Sequence, residues 1–431
     1  MTPMTRRSFE SPATRQRSAS QWISIITCLA GLGFLLASSF TSTIAQTDPP
    51  ARAEPASHAD FQMVLANAKP GDVVRTTFDS IADVARIPLS IKSDPDAPLL
   101  VLSDKPEYFR TGNGIAMREP VPAGRVRFYA YHVPVPIDGS KRVIAVARNE
   151  GDSPVKLRET RAARPNVGGD YHRIARDGML GLFHEPLSEP IERVIAPGSL
   201  LVIADSGEVE RRDLLLHALI EFSIDGPIVL ETAQIDGAVD VADTASVKQA
   251  MAGLDLLPQI LPGQRASGAG RGQFKDNTFD VTPGDQAIYD TAMGVRQIVV
   301  ADGQDDPWLS GVDSITGELT INKGNYGAVY RIRVPFKSSN GKRLGVLMVT
   351  ARTDNQWCRA ATAVVKVSDG VHAGGVIELP RDAIRFYQIP EAVVVQTFPA
   401  PSADATGMIE IDYTPPGACC LPTPILLVPI D

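Results

Sequence analysis

The chain has 431 residues, 44% of them hydrophobic, with 35 glycines and 34 prolines. That is apolar matter for two or three domains, and the glycine and proline content suits short strands and turns better than long helices. A formal charge of −8 at pH 7 argues against a phosphate-binding face for nucleic acid and against an electrostatic hold on anionic lipid.

Four arginines, Arg6, Arg7, Arg15 and Arg17, precede the uncharged run WISIITCLAGLGFLL at 22–36. Thr43-Ile44-Ala45 then offers small residues at the −3 and −1 positions, so residues 1–45 read as a secretory signal cut between Ala45 and Gln46. The competing reading is an uncleaved anchor, because no charge falls between Gln21 and Thr47. TRRSF at 5–9 stands too far from the apolar run for a twin-arginine signal, and Thr27-Cys28 is a poor lipobox. Removal of residues 1–45 leaves 38 basic and 49 acidic residues and a net charge of −11.

Residues 46–96 begin as a Pro/Ala-rich spacer and continue as a segment of weak signals, with FQMVLANA as a short helix and ARIPLSI as a strand. Regular strand signals start near 97. They are PLLVLS (98–103), GRVRFYAYHV (124–133), KRVIAVARN (141–149), SPVKLRET (153–160), SLLVIAD (199–205), LLLHALIEFSID (214–225) and PIVLETAQI (227–235). In GRVRFYAYHV, Val126, Phe128 and Ala130 alternate with Arg127, Tyr129 and Tyr131. Asp225-Gly226 is a hairpin signal. Helices are expected over 169–185, with Asp170 as N-cap, and over 245–257. PGQRASGAGRG (262–272) reads as a linker. Strands then recur at 296–302, 318–322, 328–336, 343–352, 360–368, 375–380, 391–398 and 407–414, and PILLVPID closes the chain. The expected fold is mainly β: two antiparallel β-sandwich-like domains, 97–261 and 273–431, with one or two short helical insertions.

Few residues suggest chemistry. INKGNYGAVYRIRVPF holds Asn325-Tyr326, the core of the motif from which copper amine oxidases make their quinone. Gly327 stands where an acid belongs, however, and the six histidines include no His-x-His. Copper chemistry of that kind is excluded, and the segment reads as a hairpin turn rich in residues that tolerate positive φ. Asp302, Asp305, Asp306 and Asp313 could offer oxygens to Ca²⁺, against the plain-loop alternative. Trp308 beside them is either a sugar-stacking ring or a buried anchor. Asp170, His172 and His184-Glu185 bracket the first long helix and could form a two-His, one-carboxylate metal site. In an oxidising compartment Cys358 could bridge to Cys419 or Cys420, tying the last strand to the body. No Gly-x-Ser-x-Gly, P-loop or His-Glu-x-x-His occurs.

KPEYFRTGNGIAMREPVPAGRVRFYAYHV, DDPWLSGVDSITGELTINKGNYGAVYRI and DYTPPGACCLP together resemble a group of secreted bacterial proteins of unknown function. Some of its members carry a copper amine oxidase N-terminal-like stalk domain. The resemblance covers roughly 97–430, implies export, and brings neither an oxidase domain nor catalytic residues. The expected function is a non-catalytic cell-envelope or extracellular binding or structural module. Its partner would be a wall or extracellular glycan or a protein. It would use no cofactor unless calcium, and would meet no membrane unless the signal stays uncleaved. The alternative is a polysaccharide hydrolase with carboxylates dispersed along the chain.

Overall fold

A computed structural model describes residues 54–184, 186–351, 359–419 and 421–431. The expected signal segment, with Ala45 and Gln46, lies outside them. The chain is mainly β, with 43% of residues in strands and 11% in helices. Among the described residues no helix is long and apolar enough to cross a membrane.

GRVRFYAYHV forms the strand Gly124–His132, at the middle of an eight-stranded sheet. Val126, Phe128 and Ala130 face a four-stranded sheet that includes Gly114–Val121, Lys141–Arg148 and Ile228–Asp236, and meet its Met117, Ala145, Ala147 and Leu230. Tyr129 and Tyr131 point the other way, into the core of the second half of the chain. The alternation is as expected, but both faces are buried, so the strand has no solvent side.

The second half builds its own sandwich. A seven-stranded sheet turns Tyr330, Ile332, Ile409, Ile411 and Tyr413 toward Val346, Met348, Val393 and Leu427 of a five-stranded sheet. The closing strand Ile425–Ile430 lies inside that five-stranded sheet, between Arg343–Met348 and Arg296–Ile298. Most pairings are antiparallel, but Leu99–Ser103 with Gly124–His132 and Thr278–Pro283 with Val329–Lys337 are parallel.

Among the described residues three α-helices cover sheet faces or seams. α1 (His58–Asn67), capped by the Ser57 side chain on Asp60 N, lays Phe61 and Leu65 on the outer face of the five-stranded sheet. α2 (Tyr171–Phe183) starts where the Asp170 side chain accepts from Arg173 N, and buries Ile174, Met179, Leu182 and Phe183 at helical spacing. α3 (Thr244–Met251) is capped by Asp243 and packs Val247 and Met251 on the four-stranded sheet. The two glycines inside α2 permit close packing. A Cβ on Gly178 would stand 2.2 Å from the His217 ring, and one on Gly181 would stand 2.4 Å from Ala163 Cβ. Gly181→Ala should therefore destabilise the fold by about 1–3 kcal/mol in a denaturant titration, through overpacking against backbone that cannot move aside.

Three expectations need correction. Asp225-Gly226 does not close a hairpin: Leu216–Ile224 belongs to the eight-stranded sheet and Ile228–Asp236 to the four-stranded one. Asp225 instead exchanges hydrogen bonds with Lys156, its N–H donating to the carbonyl at 3.3 Å and its carboxylate accepting from the amide at 2.7 Å. NKGNYG likewise carries the chain from the eight-stranded to the seven-stranded sheet and makes no hairpin. Residues 262–272 do not separate two bodies. Arg271 and Gly272 already belong to a strand paired with Leu99–Ser103, and Pro50–Asp431 forms one compact unit. The weak-signal segment before 97 is part of that unit: Val73–Arg75 pairs with the five-stranded sheet and Leu89–Ser93 with the seven-stranded sheet.

Candidate functional site

The acidic loop and the Asn-Tyr turn interlock. Gly324, Asn325 and Gly327 take φ of 129°, 50° and 78°, so the turn needs the residues it has. This aims the fully buried Asn325 amide into the loop. Its oxygen accepts from Leu309 N at 2.8 Å, and its nitrogen donates to the Tyr330 hydroxyl at 2.7 Å and to the Pro307 carbonyl at 3.3 Å. Tyr330 in turn donates to Asp306 at 2.6 Å, and Ala301 N donates to the same carboxylate oxygen at 2.7 Å. Burial raises the Asp306 carboxyl above its ordinary value, and these donors pull against that.

The four candidate calcium ligands are thus occupied by protein groups and do not converge. Asp302 and Asp305 both accept from Arg86, at 2.8 and 2.6 Å. Asp306 serves Tyr330. Asp313 lies at the far end of Leu309–Asp313, where it pairs with buried Arg271 and accepts from Ile315 N and Thr316 Oγ1. Among the described residues no three His, Cys, Asp or Glu side chains are placed to hold one metal ion. Trp308 is half-buried against the core under Gly303, as an anchor.

The histidine site does not assemble either. His172 and His184 stand at opposite ends of α2, about 18 Å apart at 1.5 Å rise per residue. Asp170 is spent on the cap, and Glu185 lies outside the described residues. Cys358 and Cys420 also lie outside them. Cys419 is a buried free thiol whose sulfur accepts from Thr362 N at 3.2 Å, and burial pushes it up to about 12, away from nucleophilic use.

Sequence reasoning missed the polar groups at the seam between the two sandwiches. Arg127 is buried and donates to Glu221 at 2.8 Å, to Asn277 at 3.1 Å and to the Gly327 carbonyl at 2.9 Å. Arg161 holds the other Glu221 oxygen at 3.0 Å. Burial would raise the Glu221 carboxyl, but the two guanidinium groups outweigh it and hold the group below its ordinary value. Tyr129 stacks beside Tyr131 and Tyr326, with centroids 6.5 and 6.3 Å away, and His217 lies 4.8 Å from Tyr129. The signal for this cluster was the arginine at an inward position of a β pattern, where an unpaired charge would be untenable. Two shallow depressions open elsewhere on the surface. One of about 430 Å³ lies beside Phe78, Asp83 and Arg296, and one of about 640 Å³ lies beside Met63, Val73 and Pro380.

These features define a mainly β protein of stacked sheets in which the acidic-loop carboxylates and the Cys419 thiol are engaged by its own groups. No protein-family model matches the chain, and no curated protein matches it. Among solved structures it is similar to the CUB1-EGF-CUB2 domain of human MASP-1/3, at 9% identity over 76% of this chain and 99% of that one, with a TM-score of 0.11. A likeness that slight carries no argument.

Proposed function

We propose that this chain is an exported, non-catalytic binding or structural module of the cell envelope or extracellular space. The observation that carries the reading is the engagement of the acidic-loop carboxylates and of two buried imidazoles: Asp302 and Asp305 by Arg86, Asp306 by Tyr330, Asp313 by Arg271, and His132 and His217 by backbone carbonyls. The basic, apolar and small-residue order of positions 6–45 supports export. The resemblance to secreted bacterial proteins supports the same compartment. Against a hydrolase, the neighbouring buried acids Glu119 and Asp313 already accept from Ser314, Gln273, Arg271 and Thr316.

The test is a screen of the mature chain against peptidoglycan, wall glycans and matrix polysaccharides, with reducing-end release measured in parallel. Retention without release is expected, and release of reducing ends would overturn the reading. Mass spectrometry of the protein recovered from the exported fraction should give an N-terminus at Gln46. An intact N-terminus in the membrane fraction would replace export by anchoring.

A further inference from the structure

The loop that follows the strand Leu99–Ser103 carries a carboxylate that the fold leaves incomplete. Asp104 is 6% exposed, and one of its oxygens accepts from Ala269 N at 2.7 Å. The other is fully buried and has no hydrogen-bond partner. No lysine or arginine pairs with Asp104 among the described residues, and the charged neighbour that acts on it is another acid, Glu107. Glu107 is itself without an ion pair among the described residues, and feels Arg110 only at a distance. Buried charge is ordinarily paired or bound to a metal. Arg127 with Glu221 and Arg271 with Asp313 obey that rule.

The surroundings suit a cation. Tyr129, Tyr131 and Tyr326 lie within electrostatic reach of Asp104, and among the described residues their hydroxyls take no hydrogen bond from the protein. Their phenolic oxygens and ring faces both favour positive charge. The Gly417 backbone packs against two of these rings, where a Cβ would come 2.9 Å from the Tyr129 hydroxyl and 2.7 Å from the Tyr131 ring. Glu107, Tyr108, Tyr171 and Tyr326 are only partly buried.

We propose that the cluster of Asp104, Glu107, Tyr129 and Tyr326 binds a small monovalent inorganic cation, with the unpaired Asp104 oxygen as its anionic ligand. One free carboxylate oxygen among neutral oxygens matches a single charge. Calcium asks for about six to eight oxygens, commonly from several carboxylates. The proposal is independent of whether the chain binds a glycan or a protein.

The test is thermal unfolding of the mature chain in equal concentrations of sodium, potassium, rubidium and tetramethylammonium chloride. Binding to the folded state alone should raise the midpoint by about 1–3 °C in at least one of the inorganic salts over the tetramethylammonium salt. Asp104→Asn should abolish that difference. Equal midpoints in all four salts, or a difference that survives in the variant, would overturn the proposal and leave Asp104 as an acid that simply keeps its proton. If the variant does not fold, rubidium-soaked crystals of the wild type decide. An anomalous peak at coordination distance from Asp104 Oδ1 supports the site, and its absence rejects it.

Discussion

Asn325→Ala should lower the unfolding free energy by about 3–4 kcal/mol, more than any other single truncation in the interlocked loops. Two mechanisms add. The buried Leu309 amide loses its acceptor and the Tyr330 hydroxyl loses a donor, at about 1–3 kcal/mol for buried polar groups left unpaired. Alanine must also hold a φ of 50°, which asparagine tolerates better by about 1 kcal/mol. Asn325→Gly separates them, because glycine keeps the backbone and loses only the bonds. Denaturant titration should place Asn325→Gly about 1 kcal/mol above Asn325→Ala. If both variants unfold at the wild-type midpoint, the Asn325–Tyr330–Asp306 network does not hold the loop.

The same residues show what was legible in the sequence. Glycine, asparagine and tyrosine in NKGNYG announced a turn, and the positive φ values at 324, 325 and 327 agree. They could not announce where the chain goes next. A turn that closes a hairpin and a turn that passes to another sheet need the same backbone freedom, and only the pairing of distant strands separates them. Asp225-Gly226 failed for that reason. Strands with apolar alternation, such as Gly124–His132 and Val155–Ala163, were readable. Gly114–Val121 was not, because Arg118 and Glu119 interrupt its pattern and are accommodated by Glu231 and by the Ser314 turn. Val73–Arg75 is only three residues long and becomes a strand through Glu391–Phe398, more than 300 positions away. The four aspartates had cation-ligand chemistry but no way to reveal in sequence that Arg86, Tyr330 and Arg271 would reach them first.

Acid should weaken this protein through two imidazoles. His132 and His217 are fully buried, and burial lowers both to about 4, while backbone carbonyls of Pro106 and Ala130 pull weakly the other way. In the unfolded chain both return to about 6.5. Between those values the unfolded state binds a proton that the folded state refuses, so stability rises with pH there. The contribution is complete above pH 6.5 and is lost as pH falls toward 4, at about 3 kcal/mol for each ring. Asp104 and Glu107 work in the opposite direction. Burial raises both, so their contribution is present at low pH and is lost as pH rises through their folded values. A raw pH profile therefore mixes the two trends, and the informative quantity is a difference. His217→Asn keeps an amide donor for the Ala130 carbonyl and removes the titration. From pH 7.5 to pH 4 the wild type should lose about 3 kcal/mol more unfolding free energy than this variant, whatever constant penalty the smaller side chain imposes. Parallel curves would mean that His217 charges inside the fold. That outcome would require an opening beside Tyr129 and Gly178 wide enough to admit water to the ring.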